Sequence, residues 1–389
     1  MSVNRKAAPP AVGSGLASGR ERRQIGRVSF GYDFPAIRGI QAGREYYISM
    51  CPLRLVPKLF TFDNEELPPE LRAQRALNKG RLPEITRYVL DNPDDYCFSA
   101  ITASIDSDVQ FEPLDEDGLL GKLSIPMGAK LIINDGQHRR AAVQRALEEN
   151  PDLGDESIAV VFFLDLGLER CQQMFADLNR HVVRPSKSIG VLYDHRDDKA
   201  VLARLMVLGS DFFKPLVELE GSSLSPRSKR LFTLSAIYNA NTALLDRLEI
   251  EDRDEARKLA VAWWEAVADH VPEWRLVHQH KMSAGDVRKQ FIHTHSTTLV
   301  ALGRTGNSLL HADSDPKVWR AKLEPLRTLR WGRTEEVWQG RTVINGQVKK
   351  GDQNVRLTAN AIKTHLGLPL GPEERRAEEQ FTPPRGDRR

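Results

Sequence analysis

A short apolar segment, Leu131-Ile132-Ile133, is followed at once by Asn134-Asp135-Gly136 and then by helically spaced apolar residues. This succession predicts a buried strand, a tight turn and a helix whose inner face carries alanines. Neighbouring segments repeat the pattern, so strands alternate with helices, which favours an α/β core. The sequence predicts strands at Arg44–Met50, Cys97–Ile105, Lys130–Ile133 and Ile158–Leu164, and helices at 136–149 and 168–178.

The length of 389 residues predicts two domains, with a boundary near residue 195. We expect an α/β domain over 28–195 and a mainly helical domain over 196–370. Residues 1–27 form a predicted loose, basic tail, and the residues 371–389 form a second loose tail, because both ends are rich in small, charged or proline residues. In the helical domain, helices are expected at Leu231–Leu248, Glu255–His270 and Ala284–Leu302.

Charge and hydropathy narrow the class of protein. The 56 basic and 53 acidic residues leave a net charge of +3, too small to indicate a nucleic-acid partner without local clustering. We expect no membrane span, because no apolar run approaches the roughly 18 residues that one requires. Three widely spaced cysteines and the lack of a signal-peptide pattern predict a cytoplasmic location.

The segment Asp135-Gly136-Gln137-His138-Arg139-Arg140 stands where the strand ends and the helix starts. Asp135 is a predicted N-cap, and Gly136 allows the backbone to bend and a ligand to approach. Arg139 and Arg140 face the positive end of the helix dipole, a conflict that a bound phosphate would relieve. Both arginines should therefore matter for a ligand and little for folding. His138 could donate to that phosphate, act as an acid or base, or simply pack in the turn.

Two further basic segments are candidate phosphate contacts. The first contains Asn179, Arg180, Arg184 and Lys187, and the second contains Arg227, Lys229 and Arg230. A solvated basic loop with Asn179 as a helix C-cap explains the first segment equally well. Arg227 could equally lie near a helix start among ordinary surface neighbours, so the second segment is the weaker candidate. Four histidines between His278 and His295 do not indicate zinc, because His293 and His295 fall on different faces of a predicted helix. The tryptophans are expected in the core.

Asp135–Arg140 resembles the signature of DGQHR-domain proteins, which are similar to the ParB/sulfiredoxin superfamily. Further segments make the chain resemble the DndB family of bacterial DNA phosphorothioate (sulfur) modification systems, over about residues 30 to 365. They are Phe98-Ser99-Ala100-Ile101-Thr102, Ile125-Pro126-Met127, Val160-Val161-Phe162-Phe163, Gln173-Met174-Phe175-Ala176-Asp177-Leu178-Asn179 and Leu231-Phe232-Thr233-Leu234-Ser235-Ala236-Ile237-Tyr238.

This resemblance implies a ParB/sulfiredoxin-like core followed by a mainly helical C-terminal domain. It also implies a DNA-binding regulator, acting as a repressor on the promoter of the modification genes, with the sulfur-modification enzymes as further partners. In the superfamily the segment matching Gly136–Arg139 binds nucleotide phosphates, so a nucleoside triphosphate is the cofactor implied. Gln137-His138 replaces an acidic residue of many ParB proteins, which weakens the transfer of their nucleotide hydrolysis.

Two alternatives to a regulator remain open. The first is an accessory enzyme that hydrolyses nucleotides or nicks DNA, with Asp135 as a metal ligand and His138 as the acid or base. The second is a scaffold that recruits the sulfur-transfer enzymes through its helical half, which could also form a homo-oligomer. The fold alone does not decide among these functions.

Overall fold

The computed structural model of the protein describes residues 31–60, 79–164, 173–174, 176–178, 185–250, 252–313 and 315–382. The chain divides into two compact units between Val182 and Val183, earlier than the boundary that the sequence predicts near 195. The predicted tail 1–27 lies outside the described residues, as does most of the predicted helix 168–178.

The first unit is built on a seven-stranded mixed sheet, in the order β4-β5-β1-β2-β7-β3-β6. Strands β3 and β7 are parallel, and the other neighbouring pairs are antiparallel. The predicted α/β class is therefore confirmed. The strands are β1 (Gly31–Gln41), β2 (Arg44–Pro52), β3 (Ile101–Asp106), β4 (Gln110–Pro113), β5 (Leu120–Pro126), β6 (Lys130–Asp135) and β7 (Ser157–Leu164).

A two-residue turn joins β1 to β2. Ala42 and Gly43 both have positive φ, at 52° and 73°. Such a turn matches the right-handed twist of the two strands and fixes their register, which pairs Gln41 with Arg44 and Ile37 with Ile48. The sequence predicts β2 but misses β1, whose glycines and proline are poor strand formers.

Among the described residues, the first unit has the helices α1 (Val56–Leu59), α2 (Leu82–Leu90) and α3 (Gln137–Glu149). Pro83 lies in the first turn of α2, where its missing N–H costs nothing. Val143 and Ala146 of α3 share a buried cluster with Ala103 and Val160 of the sheet. The small alanine side chains let α3 approach the sheet closely, so the start of α3 has a fixed place beside the strand ends.

The second unit is mainly helical, with two pairs of two-residue strands. Its helices are α4 (Lys187–Tyr193), α5 (Asp198–Leu208), α6 (Leu234–Leu244), α7 (Arg253–His270), α8 (Pro272–His278), α9 (Ala284–Gln290), α10 (Ser296–Ala312), α11 (Pro316–Ala321), α12 (Asp352–His365) and α13 (Pro372–Glu379). Its strands are β8 (Val217–Glu218), β9 (Phe232–Thr233), β10 (Val343–Ile344) and β11 (Gln347–Val348).

Tryptophans fill the core of the second unit, as the sequence predicts. Trp263, Trp264 and Trp338 are completely buried, and Trp331 is 4% exposed. Helices α6 and α10 pack closely because α10 has glycine at the contact. A Cβ atom at Gly303 would lie 2.4 Å from the carbonyl oxygen of Ala240, so a larger residue there would force the helices apart.

The predicted helix Ala284–Leu302 is wrong, because the structure divides it into α9 and α10. Between them Phe291 pairs with Gly332, and the amide of Ile292 donates to the carbonyl of Trp331. His293 is fully buried in this break and accepts a hydrogen bond from Trp274 Nε1 at 2.9 Å. Because His293 does not lie on a helix, helical spacing no longer argues against a zinc site at this position. The described residues contain no group of three or more histidine, cysteine, aspartate or glutamate side chains that could hold a metal ion.

Residues from Gly371 onward differ from the expected loose tail, because they begin with helix α13. Lys363, whose side chain is 5% exposed, pairs with Glu374 at 2.6 Å. Arg341 pairs with Glu378 at 2.5 Å, and Asn360 donates to the same carboxylate. The charged residues near this end of the chain suggest a solvated tail. In the structure they instead form ion pairs that bind α13 to the rest of the second unit. Across the described ranges, no helix combines the length and apolar character that crossing a membrane requires.

Candidate functional site

The segment Asp135–Arg140 lies at the junction of β6 and α3. Gly136 has a φ of 108°, and an added Cβ would lie 3.0 Å from Ile101 Cγ1 and 3.1 Å from Arg139 Nη2. The predicted need for a bend that favours glycine is confirmed, because the backbone at Gly136 has a positive φ and an added Cβ would crowd Ile101. The close approach of a ligand at this glycine stays a prediction. Asp135 is the last residue of β6, and Gly136 occupies the N-cap without a side-chain bond. The predicted N-cap role of Asp135 is therefore wrong.

Asp135 instead forms an ion pair with Arg139. Its Oδ2 lies 2.6 Å from Arg139 Nη2, and the two side chains are 50% and 20% exposed. Arg139 also donates to Ser99 Oγ at 2.6 Å and to the carbonyl of Ala100 at 3.0 Å. The negative charge that we expected from a bound anion at this helix start is supplied by Asp135. A phosphate could reach this guanidinium only in competition with that carboxylate.

Arg140 points elsewhere and is only 7% exposed. Its Nε donates to the carbonyl of Phe60 at 2.8 Å, its Nη2 to the carbonyl of Pro57 at 3.0 Å, and its Nη1 to Gln144. Burial lowers the pKa of this guanidinium. The expectation that Arg140 matters little for folding is at odds with these bonds, which fasten α3 to the end of α1.

The remaining residues of the segment divide between core and surface. Gln137 is buried, and its Nε2 approaches the carbonyl of Ile133 at 3.4 Å. Burial lowers the pKa of His138, and the positive charges of Arg81 and Arg139 lower it further. The ring is therefore neutral near pH 7, so it could donate a hydrogen bond but would add no positive charge to a phosphate site.

The two predicted basic segments are only partly described. Asn179, Arg180 and Arg184 lie outside the described residues. Lys187 begins α4, and its backbone amide donates to Ser222 Oγ at 2.9 Å. Lys187 also lines a cavity of about 850 Å³. The lining of this cavity has both acidic and basic residues, including the ion pairs Arg304–Asp352 and Lys363–Glu374. Lys187 is not part of the cavity that Arg227 lines.

A loop of the second unit carries the basic residues Arg227, Lys229 and Arg230. The side chain of Arg288, on α9, donates hydrogen bonds to the backbone of this loop. Arg288 donates to the carbonyls of Ser225 at 2.6 Å and Ser228 at 3.0 Å, and also to those of Pro226 and Arg230. Sequence reasoning missed Arg288, because its spacing resembles that of any exposed helical arginine. The loop is thus fixed in shape by a cation that lies outside it.

The charge of this loop is not neutralised by the described part of the chain. Within it, the side chains of Arg227 and Lys229 form no ion pair or hydrogen bond, and both residues are exposed. Arg230 donates to the carbonyls of Lys214 and Pro215, which satisfies some of its N–H groups but not its charge. Exposed cations without acidic neighbours are the residues that bind phosphate groups most readily.

Comparison with protein families decides the membership of the chain. Residues 34–369 match the family DndB, described as DNA-sulfur modification-associated. The chain belongs to the DndB family. The match begins near the start of β1 and extends to just before α13, so it covers both units. No curated protein and no solved structure matches the chain.

Proposed function

We propose that this DndB-family protein is a DNA-binding regulator that represses the gene cluster for DNA sulfur modification. Membership of the family associates it with DNA sulfur modification. The observation that carries the DNA-binding step is the loop with Arg227, Lys229 and Arg230, whose backbone is held by Arg288 and whose cations lack acidic partners among the described residues. The promoter of the modification genes is the proposed target, and the cytoplasm is the proposed location.

Phosphate contacts of this kind position a protein on DNA but carry no sequence information. Selection of the promoter would therefore need base contacts from other residues, and we propose that the first unit supplies them. The sulfur-modification enzymes remain proposed further partners. A fixed loop helps binding, because its backbone loses little conformational freedom when the phosphates arrive.

The test measures binding of the full chain to a duplex from the promoter of the neighbouring modification genes, by fluorescence anisotropy over a series of salt concentrations. The double variant Arg227→Ala/Lys229→Ala should bind more weakly, and the slope of log K against log salt should fall by about 1.8, because each phosphate that is no longer neutralised accounts for about 0.9. Lys317→Ala/Lys322→Ala is the matched control, because both lysines are exposed and lack ion pairs among the described residues. An unchanged slope in the first variant would remove the loop from the interface.

Repression is tested separately in cells. Deletion of the gene should raise transcription from the modification promoter, and modification of the DNA should persist or increase. Unchanged transcription together with an absence of modification would instead support the enzyme or scaffold function.

The nucleotide-hydrolysing or DNA-nicking alternative would need the carboxylate of Asp135 for a metal ion. That carboxylate is engaged by Arg139 at 2.6 Å, so no observation at this junction favours the enzyme over the regulator. Binding of a nucleoside triphosphate at Arg139 remains a separate proposal.

A further inference from the structure

The loop that carries Arg227, Lys229 and Arg230 forms one wall of a groove in the second unit. The second wall comes from the end of α8, the start of α9 and the residues between them, and the cavity that both walls line has a volume of about 790 Å³. We call this the basic groove. It is lined by Pro215, Leu216, Arg227, Ser228, Lys229, Arg230, Val277, His278, His280, Lys281, Met282, Ser283 and Ala284.

The charges in the basic groove have one sign. Among the described residues, its lining contains the permanent cations Arg227, Lys229, Arg230 and Lys281, two histidines, and no aspartate or glutamate. Like Arg227 and Lys229, Lys281 makes no side-chain ion pair or hydrogen bond with the described residues. The cavity beside Lys187 differs, because its lining includes Asp246, Asp352, Glu373 and Glu374. Cations gathered without acids repel one another unless an anion joins them.

Both walls are held by hydrogen bonds below the surface. Arg288 fixes the loop through its carbonyls, and burial lowers the pKa of that guanidinium without any acidic partner among the described residues. On the second wall, the backbone amides of Lys281 and Met282 both donate to the carbonyl of Leu276, at 2.8 Å and 3.2 Å. His280 adopts a left-handed backbone, with a φ of 58°. For a non-glycine residue that conformation is strained, and such residues are common at binding sites.

We propose that the basic groove seats the sugar–phosphate backbone of one strand of double-stranded DNA, with Lys281 as a phosphate contact in addition to Arg227 and Lys229. This inference rests on the proposed function and adds the location of the backbone contact. The groove suits this ligand because both of its walls carry cations. Duplex DNA presents one negative charge per roughly 1.7 Å of its axis, so several phosphates can contact these cations at once. At the start of α3, by contrast, the arginines are already bonded to protein acceptors.

The decisive experiment compares Lys281→Ala with Lys317→Ala in the salt series on the same duplex. Lys281→Ala should weaken binding to promoter and unrelated duplexes alike and lower the salt slope by about 1. Lys317→Ala should leave both quantities at the wild-type values. Lys281→Glu should weaken binding further, because it places a negative charge beside the phosphates.

A second variant separates the shape of the groove from its charge. Arg288→Met leaves the lining cations in place but removes the donors that hold the loop, so affinity should fall at every salt concentration while the slope stays near that of the wild type. A melting curve identifies the folded fraction, and Arg288→Lys, which keeps the charge and part of the bonding, should restore some affinity. A reduced slope in Arg288→Met would show that Arg288 itself contacts phosphate, and the positioning role would be overturned.

The outcomes distinguish the inference from the function on which it rests. If wild-type protein binds duplex DNA and Lys281→Ala behaves like Lys317→Ala, the groove is not the backbone site, although the chain still binds DNA. If wild-type protein binds no duplex at any salt concentration, the proposed function itself is overturned.

Discussion

Arg140→Met is the sharpest test of the claim that this arginine supports the fold and not a ligand. Methionine keeps much of the length and apolar stem of arginine but has no N–H donor. The carbonyls of Phe60 and Pro57, now at 2.8 Å and 3.0 Å from the guanidinium, would be left without these partners. The side chain is 7% exposed, so water could not easily replace the missing donors.

The size of the effect follows from those two carbonyls. A buried acceptor left without a partner costs about 1–3 kcal/mol, which gives roughly 2–6 kcal/mol for the pair. Removal of a desolvated charge returns part of that cost, so we expect the free energy of unfolding to fall by about 2–4 kcal/mol. For a unit of this size, a change of about 3 kcal/mol corresponds to a decrease in Tm of roughly 6–12 °C.

Thermal and urea unfolding of the full chain, followed by circular dichroism, would measure this decrease. Arg145→Met is the matched control, because Arg145 lies on the same helix and is exposed. Its Tm should remain close to that of the wild type. If Arg140→Met also keeps the wild-type Tm but binds DNA or nucleotide more weakly, Arg140 is a ligand contact and the reasoning from its hydrogen bonds is wrong.

Three further predictions follow from particular contacts. Gly136→Ala should destabilise the protein by at least about 1–2 kcal/mol in urea unfolding, because of its φ of 108° and the nearness of Ile101; wild-type stability would refute the strain. Burial lowers the pKa of His295 to about 4, so stability should fall as the pH drops from about 6.5 to 4, by up to about 3 kcal/mol; His295→Gln should flatten that pH profile relative to wild type. Asp135→Asn should raise the affinity of a nucleoside triphosphate in calorimetry if Arg139 is a phosphate ligand, and unchanged affinity would contradict that role.

The sequence predicts one side of the sheet of the first unit, β2-β7-β3-β6, and misses the other side, β4-β5-β1. Strand β7 is apolar from Ile158 onward, and β6 contains the apolar segment Leu131-Ile132-Ile133, so local hydrophobicity is enough to predict both. Strand β1 contains two glycines and a proline within Gly31–Gln41, and it exists because β2 and β5 pair with both of its edges. Pairing between distant segments is not visible in local residue patterns, which is why β1, β5 and the short β4 are missed.

The break between α9 and α10 shows the opposite error. Val287, Phe291, Thr298 and Leu302 keep a helical spacing, so the pattern predicts one helix where the structure has two. The break is stabilised by partners far along the chain, including the carbonyl of Trp331, which accepts from Ile292. Tertiary contacts here outweigh the local preference, and they also bury His293, which local spacing places on a helix.

The sequence is least informative about the roles of the arginines, because each role depends on the direction in which the side chain points. Arg139 and Arg140 are adjacent in the chain, but successive helical residues point about 100° apart, so one meets Asp135 and the other meets the carbonyl of Phe60. A guanidinium has five N–H donors, and its role depends on how many acceptors the folded chain brings to them. Arg140 and Arg288 meet backbone carbonyls and therefore hold structure in place. Arg227 meets no such acceptor among the described residues, so its donors and its charge are available to a ligand.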